Sequence, residues 1–307
     1  MIRRKSFALV ILLLALALVA AACASDDTTE STSSPAGDTA ATGLLKQVLD
    51  KGELVVATDP KYPPQSELVN GEWQGFDIDV ANEIANRMGV STKFTTPGWE
   101  TITSGNWQGR WDLSVGSMTV TVDRAKVLQF TSPYYYTPAG IAVHADNTDI
   151  TGPADLTGKL VGSCGGCTYQ QYLEGTLDIP DYPVEFLITG AEIKTYDTDS
   201  TAIQDLAKGD CLVLCAVFSA VPTLQSAMDK GKPIKLVGDP LYYEPLAPAV
   251  DLASPVDSAS LGDEVSRIID EMHADGTLSE FSCKWYQEDI TETDPADALS
   301  CEGVPAG

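Results

Sequence analysis

Apolar and polar positions follow two different periods in the first half of the chain, and these periods predict alternating strands and helices. Residues 53–58 form a short run rich in residues that favour strands, and the run ends at Asp59 and a proline. This predicts a strand that leads into a loop. Residues 77–88 carry apolar side chains at every fourth position and end at a glycine, which predicts an amphipathic helix. A second strand is predicted over residues 112–117, followed by a polar loop and a short helix from Asp123. This alternation predicts an α/β fold with a mainly parallel sheet, in which ligands bind beyond the carboxyl ends of the strands.

The same alternation begins again after Gly140 and predicts a second α/β unit. Its predicted elements are strands over residues 159–162, 193–196 and 211–218, a glycine-rich loop over residues 163–168, and helices from Tyr169 and over residues 201–208. Apolar residues at helical spacing between Val265 and Trp285, interrupted at Gly276, predict a closing helical segment. Two units of similar construction, each with a polar loop after an early strand, indicate two lobes around a cleft.

The N-terminus has the layout of an export signal. Three basic residues precede an unbroken apolar run that is too short to span a bilayer comfortably. We interpret residues 1–22 as a signal peptide and residues 23–43, which are rich in Ser, Thr, Asp, Ala and Gly, as a flexible tether. Three alanines directly before Cys23 resemble the lipobox of bacterial lipoproteins, in which the cysteine is lipidated and holds the protein at the outer face of the cell membrane. Ordinary cleavage and secretion is the alternative, because Ala20 stands where a leucine is usual; both place the rest of the chain outside the cytoplasm.

Composition and charge narrow the classes of partner. Removing the signal and the tether leaves about 260 residues, enough for one large or two medium domains. The chain has 44% hydrophobic and 21% charged residues, an ordinary globular composition. Its formal net charge of −25 becomes −28 when the three basic residues of the signal are removed. Such a polyanion is a poor partner for nucleic acid or for anionic lipid headgroups, so we expect no nucleic-acid partner.

Cysteine usage predicts disulfide bonds. Six cysteines remain after Cys23, and an even count in an exported protein favours pairing. Cys283 and Cys301 flank a segment poor in apolar residues, and we predict a bond between them that holds residues 288–302 on the first lobe; the C-terminal tail as a region comprises residues 291–307. The pairing stays open, with a loosely spaced zinc site as an alternative, for Cys164, Cys167, Cys211 and Cys215. The two histidines of the chain lie in no metal- or nucleophile-type motif, so we predict no catalytic residue, no metal and no cofactor.

Five segments of the chain, in this order, carry a recognisable pattern. They are VATDPKYPP at residues 56–64, GFDID at 75–79, WDL at 111–113 with GSMTVTVDR at 116–124, FTSPYY at 130–135, and ADGTL at 274–278 with KW at 284–285. The pattern resembles the family 3 extracellular solute-binding proteins, the polar amino acid receptors of ABC importers, from Leu44 to Asp289.

The resemblance implies a two-lobed, periplasmic-binding-protein-like fold of type II with a mainly parallel sheet in each lobe. Lobe 1 would comprise residues 44–138 and 244–290, and lobe 2 residues 139–243. Two crossing strands near residues 137–143 and 241–250 would form the hinge. The resemblance also implies a monomer that closes on a small solute and delivers it to the permease subunits of an ABC importer.

The first lobe is predicted to hold the carboxylate of a ligand. The family uses the arginine that matches Arg124 in this role, and a guanidinium makes two charge-assisted contacts while loop hydroxyl and N–H groups take the remaining lone pairs. Tyr62 and Trp99 resemble aromatic positions that pack on the ligand side chain, whereas Asp59 is either a cleft acid or a turn former. The residues assigned to the first-lobe site are Asp59, Tyr62, Trp99, Ser117, Met118, Thr119 and Arg124.

The second lobe departs from the family pattern at two positions. The loop that closes over the ligand carboxylate in the family corresponds here to Gly166, Cys167, Thr168 and Tyr169. A cysteine at its second position is the first departure. The second is Ser219, which stands where the family carries an aspartate that binds the α-ammonium of the ligand. Either another acid replaces this aspartate, with Asp59 as the best candidate, or aromatic faces hold a methylated cation such as a betaine.

These residues predict a binding receptor for a small carboxylate-bearing solute, in the first place an amino acid, and not an enzyme. Two rivals stay open at this point. A dehydratase-type enzyme on the same fold would need a paired acid and base in the cleft. A sensory domain would bind the same ligand but signal to a partner without transport.

Overall fold

The computed structural model describes residues 41–292, 300–303 and 305. The predicted signal peptide, Cys23 and the tether up to residue 40 lie outside these residues, as does most of the predicted C-terminal tail. None of the described helices has the length and apolar character needed to cross a membrane.

Helices and strands alternate through the described chain. The helices are α1 (Gly43–Lys51), α2 (Phe76–Met88), α3 (Trp99–Thr103), α4 (Thr168–Leu173), α5 (Asp199–Leu206), α6 (Val221–Asp229), α7 (Ala259–Ala274) and α8 (Thr277–Tyr286), with 3-10 turns at Arg124–Lys126 and Pro153–Leu156. The strands are β1 (Glu53–Ala57), β2 (Lys61–Tyr62), β3 (Ser66–Val69), β4 (Glu72–Gln74), β5 (Ser91–Thr95), β6 (Leu113–Ser114), β7 (Leu128–Phe130), β8 (Tyr135–His144), β9 (Leu160–Cys164), β10 (Glu192–Tyr196), β11 (Ala216–Ala220), β12 (Ile234–Leu246) and β13 (Ala249–Asp251).

The first lobe is built on a five-stranded sheet in the order β5-β1-β6-β13-β7. Strands β5, β1 and β6 pair in parallel and β13 runs antiparallel to both of its neighbours, so four of the five strands point the same way. The apolar faces of α2 and α7 pack into one core through Val80, Ile84, Val265 and Ile269. Helix α2 ends where the pattern predicted, at Gly89, whose φ of 71° is the left-handed conformation that commonly closes a helix.

The second lobe repeats this plan. Its sheet has the order β10-β9-β11-β8-β12, with β8 as the reversed strand, so four of five strands again share a direction. One apolar cluster contains Tyr172 and Phe218, and a second contains Leu206 and Leu224. A mainly parallel sheet in each lobe is therefore confirmed. A small three-stranded sheet, β2-β3-β4, accompanies the first lobe.

Two long strands connect the lobes. The chain leaves the first sheet after β7 through β8 and returns to it through β12 and then β13. Strands β8 and β12 pair antiparallel from His144 opposite Ile234 to Tyr135 opposite Leu246, with an irregularity between Val237 and Tyr242. This pair is the hinge of two crossing strands that the resemblance implied.

Two predicted strands are shorter in the structure. The strand predicted over residues 112–117 consists of Leu113–Ser114, because the chain turns away at Ser117, whose φ is +54°. The strand predicted over residues 211–218 begins at Ala216. Asp210 accepts hydrogen bonds from the N–H groups of residues 212–214 and holds these residues in a turn. Leu212 in that turn is 93% exposed, so its apolar character does not mark a strand.

Three disulfides resolve the pairing that the sequence left open. The bonded pairs are Cys164–Cys167, Cys211–Cys215 and Cys283–Cys301. The third is the predicted bond. In the other two, each cysteine pairs with its sequence neighbour, so the zinc alternative loses the free thiolates that it requires.

Candidate functional site

A cleft opens between the lobes, at the carboxyl ends of strands β1, β6, β9 and β10. Loops of both lobes line it, as expected for two parallel sheets facing each other. The lining residues are Asp59, Tyr62, Trp99, Gly116, Ser117, Thr119 and Arg124 from the first lobe and Cys164, Cys167, Thr168, Tyr169, Asp197, Thr198 and Asp199 from the second. Nine of the residues predicted for ligand binding therefore lie together in one cleft, namely Asp59, Tyr62, Trp99, Ser117, Thr119, Arg124, Cys167, Thr168 and Tyr169.

Arg124 is the cation of this cleft. It begins the 3-10 turn after the loop that contains Thr119, and it is 5% exposed. Its Nη1 donates to the carbonyl of Thr119 at 3.0 Å, and its Nη2 donates to the carbonyl of Gly166 in the opposite lobe at 3.2 Å. The guanidinium carbon lies 5.3 Å from the ring centroid of Trp99. Burial lowers the pKa of Arg124 to about 10, which leaves it charged at neutral pH.

Ser117 uses its polar groups within the first lobe. Its hydroxyl donates to Asp77 Oδ2 at 2.8 Å and lies 2.6 Å from the hydroxyl of Tyr135, while its N–H donates to the hydroxyl of Tyr134 at 2.9 Å. Tyr134 in turn donates to Asp77 Oδ1 at 2.6 Å. Burial raises the pKa of Asp77 to about 7. Ser117 therefore supports the floor of the cleft through this buried network.

Three residues of the predicted set, Met118, Ser219 and Gly166, are not among the residues that line the cleft. Met118 is 1% exposed and packs among Trp107, Trp111 and Leu128 in the first-lobe core, because its side chain points away from the loop that carries Thr119. Ser219 is fully buried in β11, and its hydroxyl donates to Asp199 instead of facing the cleft. Gly166 is present at the cleft through its carbonyl, which accepts from Arg124.

Glu244, in the returning hinge strand β12, is a buried acid hydrogen-bonded to three cleft residues, and the sequence pattern did not reveal it. Its carboxylate is 1% exposed and accepts hydrogen bonds from the hydroxyls of Thr119 at 2.8 Å, of Tyr169 at 2.7 Å and of Thr168. Burial raises its pKa, while these three donors and the charge of Arg124 oppose the rise. Its place in the run Leu241–Leu246, where it is the one charged residue among apolar and aromatic neighbours, was the signal that could have singled it out.

Asp199 is the second residue that sequence reasoning missed. It is the first residue of α5, which begins two residues earlier than predicted, and its side chain is 5% exposed where it lines the cleft. Its Oδ1 accepts from Ser219 Oγ at 2.5 Å. Burial, with a contribution from the charge of Asp59, raises its pKa to about 7. Thr198 followed by an aspartate was the available signal, since threonine is a common N-cap residue and an aspartate is favourable in the first turn of a helix.

Aromatic side chains enclose the middle of the cleft. The hydroxyls of Tyr62 and Tyr169, which come from different lobes, lie 3.4 Å apart. Trp99 is partly exposed at the cleft, whereas Phe218 is fully buried and touches Tyr169 edge to face at a centroid distance of 5.5 Å. Tyr62, Trp99 and Tyr169 thus border the cleft, and Phe218 packs against Tyr169 in the core of the second lobe.

The loop of the second lobe is fixed by a disulfide. The bond joins Cys164, the last residue of β9, to Cys167, which precedes α4. Gly166 between them has φ of +72°, and its N–H donates to Gln170 Oε1 at 2.9 Å. This geometry aims the Gly166 carbonyl at Arg124. The cysteine that departs from the family pattern therefore contributes to a covalent brace of the loop.

The cleft combines one buried cation with several acids. Arg124 is suited to a carboxylate, and the carboxylates of Asp59 and Asp199, one from each lobe, are suited to a cation. Tyr62, Trp99 and Tyr169 line the same cleft. Such an arrangement can hold a small zwitterion between two lobes.

Comparison with known proteins agrees with this architecture. The model of the bacterial extracellular solute-binding proteins, family 3, matches residues 54–288. The probable amino-acid-binding protein YxeM of Bacillus subtilis (strain 168) is 32% identical over 77% of this chain and 84% of its own length. The L-cystine-binding protein TcyJ of Escherichia coli (strain K12) is 27% identical over 82% of this chain and 90% of its own.

A solved structure gives the same result for the fold. An ancestral arginine-binding protein bound to arginine superimposes with a TM-score of 0.66 at 28% identity, covering 76% of this chain and 98% of that one. The relatives named here are binding proteins, and the two-lobed, periplasmic-binding-protein-like fold is confirmed. The chain belongs to the bacterial extracellular solute-binding proteins, family 3.

Proposed function

We propose that this protein is the extracytoplasmic receptor of an ABC importer and that it binds a free amino acid by hinge closure. The observation that carries the proposal is the cleft itself, in which Arg124 of the first lobe reaches the Gly166 carbonyl of the second and acids of both lobes face the same space. A ligand that contacts both lobes favours the closed state, because closure brings its two binding surfaces together.

The amino acid's carboxylate is assigned to Arg124. Its guanidinium donates to two backbone carbonyls and retains further N–H groups. Trp99, Tyr62 and Tyr169 would then contact the side chain of the ligand. Among its relatives, one is named for cystine and an ancestral structure holds arginine, so both amino acids belong in the first set of ligands to be measured.

Membrane attachment forms part of the proposal. The basic, apolar and Ala-Ala-Ala-Cys series of the N-terminus favours lipidation of Cys23 and anchoring at the outer face of the cell membrane. A lipidated receptor stays close to its permease, which raises its effective concentration there. We propose that it acts as a monomer.

The test is a binding measurement on the chain without residues 1–23. Thermal-shift and calorimetric titrations would use L-arginine, L-cystine, L-glutamine and glycine betaine. We expect one or more of the amino acids to raise the melting temperature and to be recovered unchanged by mass spectrometry. Betaine binding without amino acid binding would support the aromatic alternative, chemical conversion of the ligand would support a dehydratase-type enzyme, and no binding of any of them would contradict the proposal.

A further inference from the structure

We infer that Asp199 binds the α-ammonium of the ligand, in place of the aspartate that the family carries at the position of Ser219. The inference rests on the proposed function, since it names the group that recognises the amine of the amino acid. It also replaces Asp59, which sequence reasoning favoured, as the principal acid of the site.

The first argument is geometric. Ser219 lies at the end of β11 and is fully buried, so it cannot itself reach a ligand. Its hydroxyl donates to Asp199 Oδ1 at 2.5 Å, and Asp199 lines the cleft. The serine thus holds the carboxylate of Asp199, at the start of the preceding helix α5, where it lines the cleft.

The second argument is electrostatic. Asp199 is 95% buried, and within residues 41–292 no lysine, arginine or histidine forms an ion pair with it. The negative charge of Asp59, on the opposite lobe, acts on it as well. A buried carboxylate with a like charge nearby and no cation is unfavourable. An ammonium placed between Asp59 and Asp199 would relieve this repulsion and would draw the two lobes together.

A purely structural role is the competing explanation. Asp199 begins α5, where an aspartate interacts favourably with the helix dipole. The N-terminal cap of this helix is, however, provided by Thr198, whose hydroxyl accepts from the N–H of Thr201 at 3.2 Å. Helix capping therefore does not require Asp199. If Asp199 binds the ammonium, its replacement weakens only ligands that carry the amine; if its role is purely structural, ligands with and without the amine are affected alike.

The experiment crosses a change in the protein with a change in the ligand. The probe is whichever of L-arginine and L-glutamine binds the wild-type chain more tightly, together with its counterpart without the amine, guanidinopentanoate or glutaramate. Calorimetry measures both ligands on the wild type, on Asp199→Asn and on Asp205→Asn. The last variant is the matched control, because Asp205 lies in the same helix but outside the cleft, paired with Lys208 and Lys194.

We expect Asp199→Asn to weaken binding of the amino acid at least tenfold and to change binding of the deaminated counterpart less than threefold. Asp205→Asn should change neither by more than threefold. Equal losses for both ligands, or amino acid affinity within threefold of wild type, would overturn the inference. If circular dichroism shows that Asp199→Asn does not fold, Ser219→Ala is measured instead. We then expect the affinity for the amino acid to fall at least threefold and the affinity for the deaminated counterpart to stay unchanged.

The same measurements separate this inference from the proposed function. A wild-type chain that binds none of the amino acids contradicts both. A wild-type chain that binds an amino acid, with no selective loss in Asp199→Asn, leaves the receptor function intact and contradicts the role of Asp199 alone.

Discussion

The hydroxyl of Thr119 donates a hydrogen bond of 2.8 Å to the carboxylate of Glu244, and this contact joins the ligand loop of the first lobe to the returning hinge strand. The same carboxylate accepts from Thr168 and Tyr169 of the second lobe. A hydroxyl that donates its proton to Glu244 cannot donate it to a ligand as well. In this conformation, we therefore expect the carboxylate of the proposed ligand to rely on Arg124 and on backbone N–H groups.

Loss of this acceptor should destabilise the protein. Glu244→Ala leaves three buried hydroxyls without their acceptor, and each such loss costs about 1–3 kcal/mol. Because 1 kcal/mol shifts the melting temperature of a domain of this size by about 2–4 °C, we expect a decrease of at least about 5 °C in differential scanning calorimetry. Glu244→Gln keeps one acceptor oxygen and should lose less. An unchanged melting temperature in Glu244→Ala would show that this network does not stabilise the fold.

Arg124 should dominate recognition of the ligand's carboxylate. Arg124→Ala is expected to weaken amino acid binding at least tenfold, since a hydrogen bond to a charged group is worth about 1.5–3 kcal/mol. The matched control is Arg110→Ala, because Arg110 also lies over a tryptophan ring, that of Trp111, but outside the cleft. Comparable affinities of the two variants in calorimetry, or a best ligand without an acidic group, would contradict the assignment.

The disulfide of the second-lobe loop should affect binding more than stability. Replacing Cys164 and Cys167 by serine removes the brace beside Gly166, so we expect at least a threefold weaker affinity. The control replaces Cys211 and Cys215, which close a loop of similar length outside the cleft. The melting temperatures of both double variants should fall by similar amounts, because disulfides that close loops of similar length restrict the unfolded chain to a similar degree. Equal affinities of the two double variants would argue against a role of this brace in binding.

Asp77 should make stability depend on pH. Burial raises its pKa from 3.8 to about 7, so the fold favours the protonated acid. The stability that this preference contributes is complete below the ordinary pKa and is lost as the pH rises through about 7. Relative to Asp77→Asn, the wild type should lose up to about 4 kcal/mol of unfolding free energy over this range.

Urea unfolding of both proteins between about pH 4 and pH 7.5 measures this difference. Asp205→Asn provides a reference whose pH profile should run parallel to that of the wild type over this range, because the contribution of Asp205 changes only at lower pH. Hydrogen bonds from Lys208, Tyr196 and Lys194 lower the pKa of Asp205 to about 2, so its contribution is present above the ordinary pKa and is lost as the pH falls. Parallel pH profiles for the wild type and Asp77→Asn would disprove the role given to Asp77.

Cys23 should determine attachment to the membrane. Cys23→Ser is expected to release the protein into the soluble fraction and to abolish labelling by a radioactive fatty acid, because lipidation requires the thiol. Fractionation and metabolic labelling of wild type and variant measure this directly, with Cys283→Ser as a control for loss of a cysteine elsewhere. Label that persists in Cys23→Ser would contradict the lipoprotein assignment.

Local patterns predicted the elements and several cleft residues well. The fourfold apolar spacing of residues 77–88 corresponds to α2, and the short strand before Asp59 corresponds to β1. Asp59, Trp99 and Arg124 line the cleft because each follows or lies near the end of a strand or the start of a helical turn. These predictions depend only on residues that are close together in the sequence, because secondary-structure propensity and hydrophobic periodicity are local properties. Strand ends were less certain, as the turn at Cys211–Cys215 illustrates.

The sequence by itself therefore determined the two α/β lobes, the family and the pairing of Cys283 with Cys301. The tertiary structure alone brought Asp199 to the cleft and Glu244 into contact with the cleft residues Thr119, Thr168 and Tyr169. Ser219 meets Asp199 across 20 residues, and Thr119 meets Glu244 across 125. Hydropathy marks a residue as apolar or polar but does not say which distant partner a buried carboxylate will find. That choice is made when the strands cross between the lobes and bring the ends of separate elements within hydrogen-bond distance.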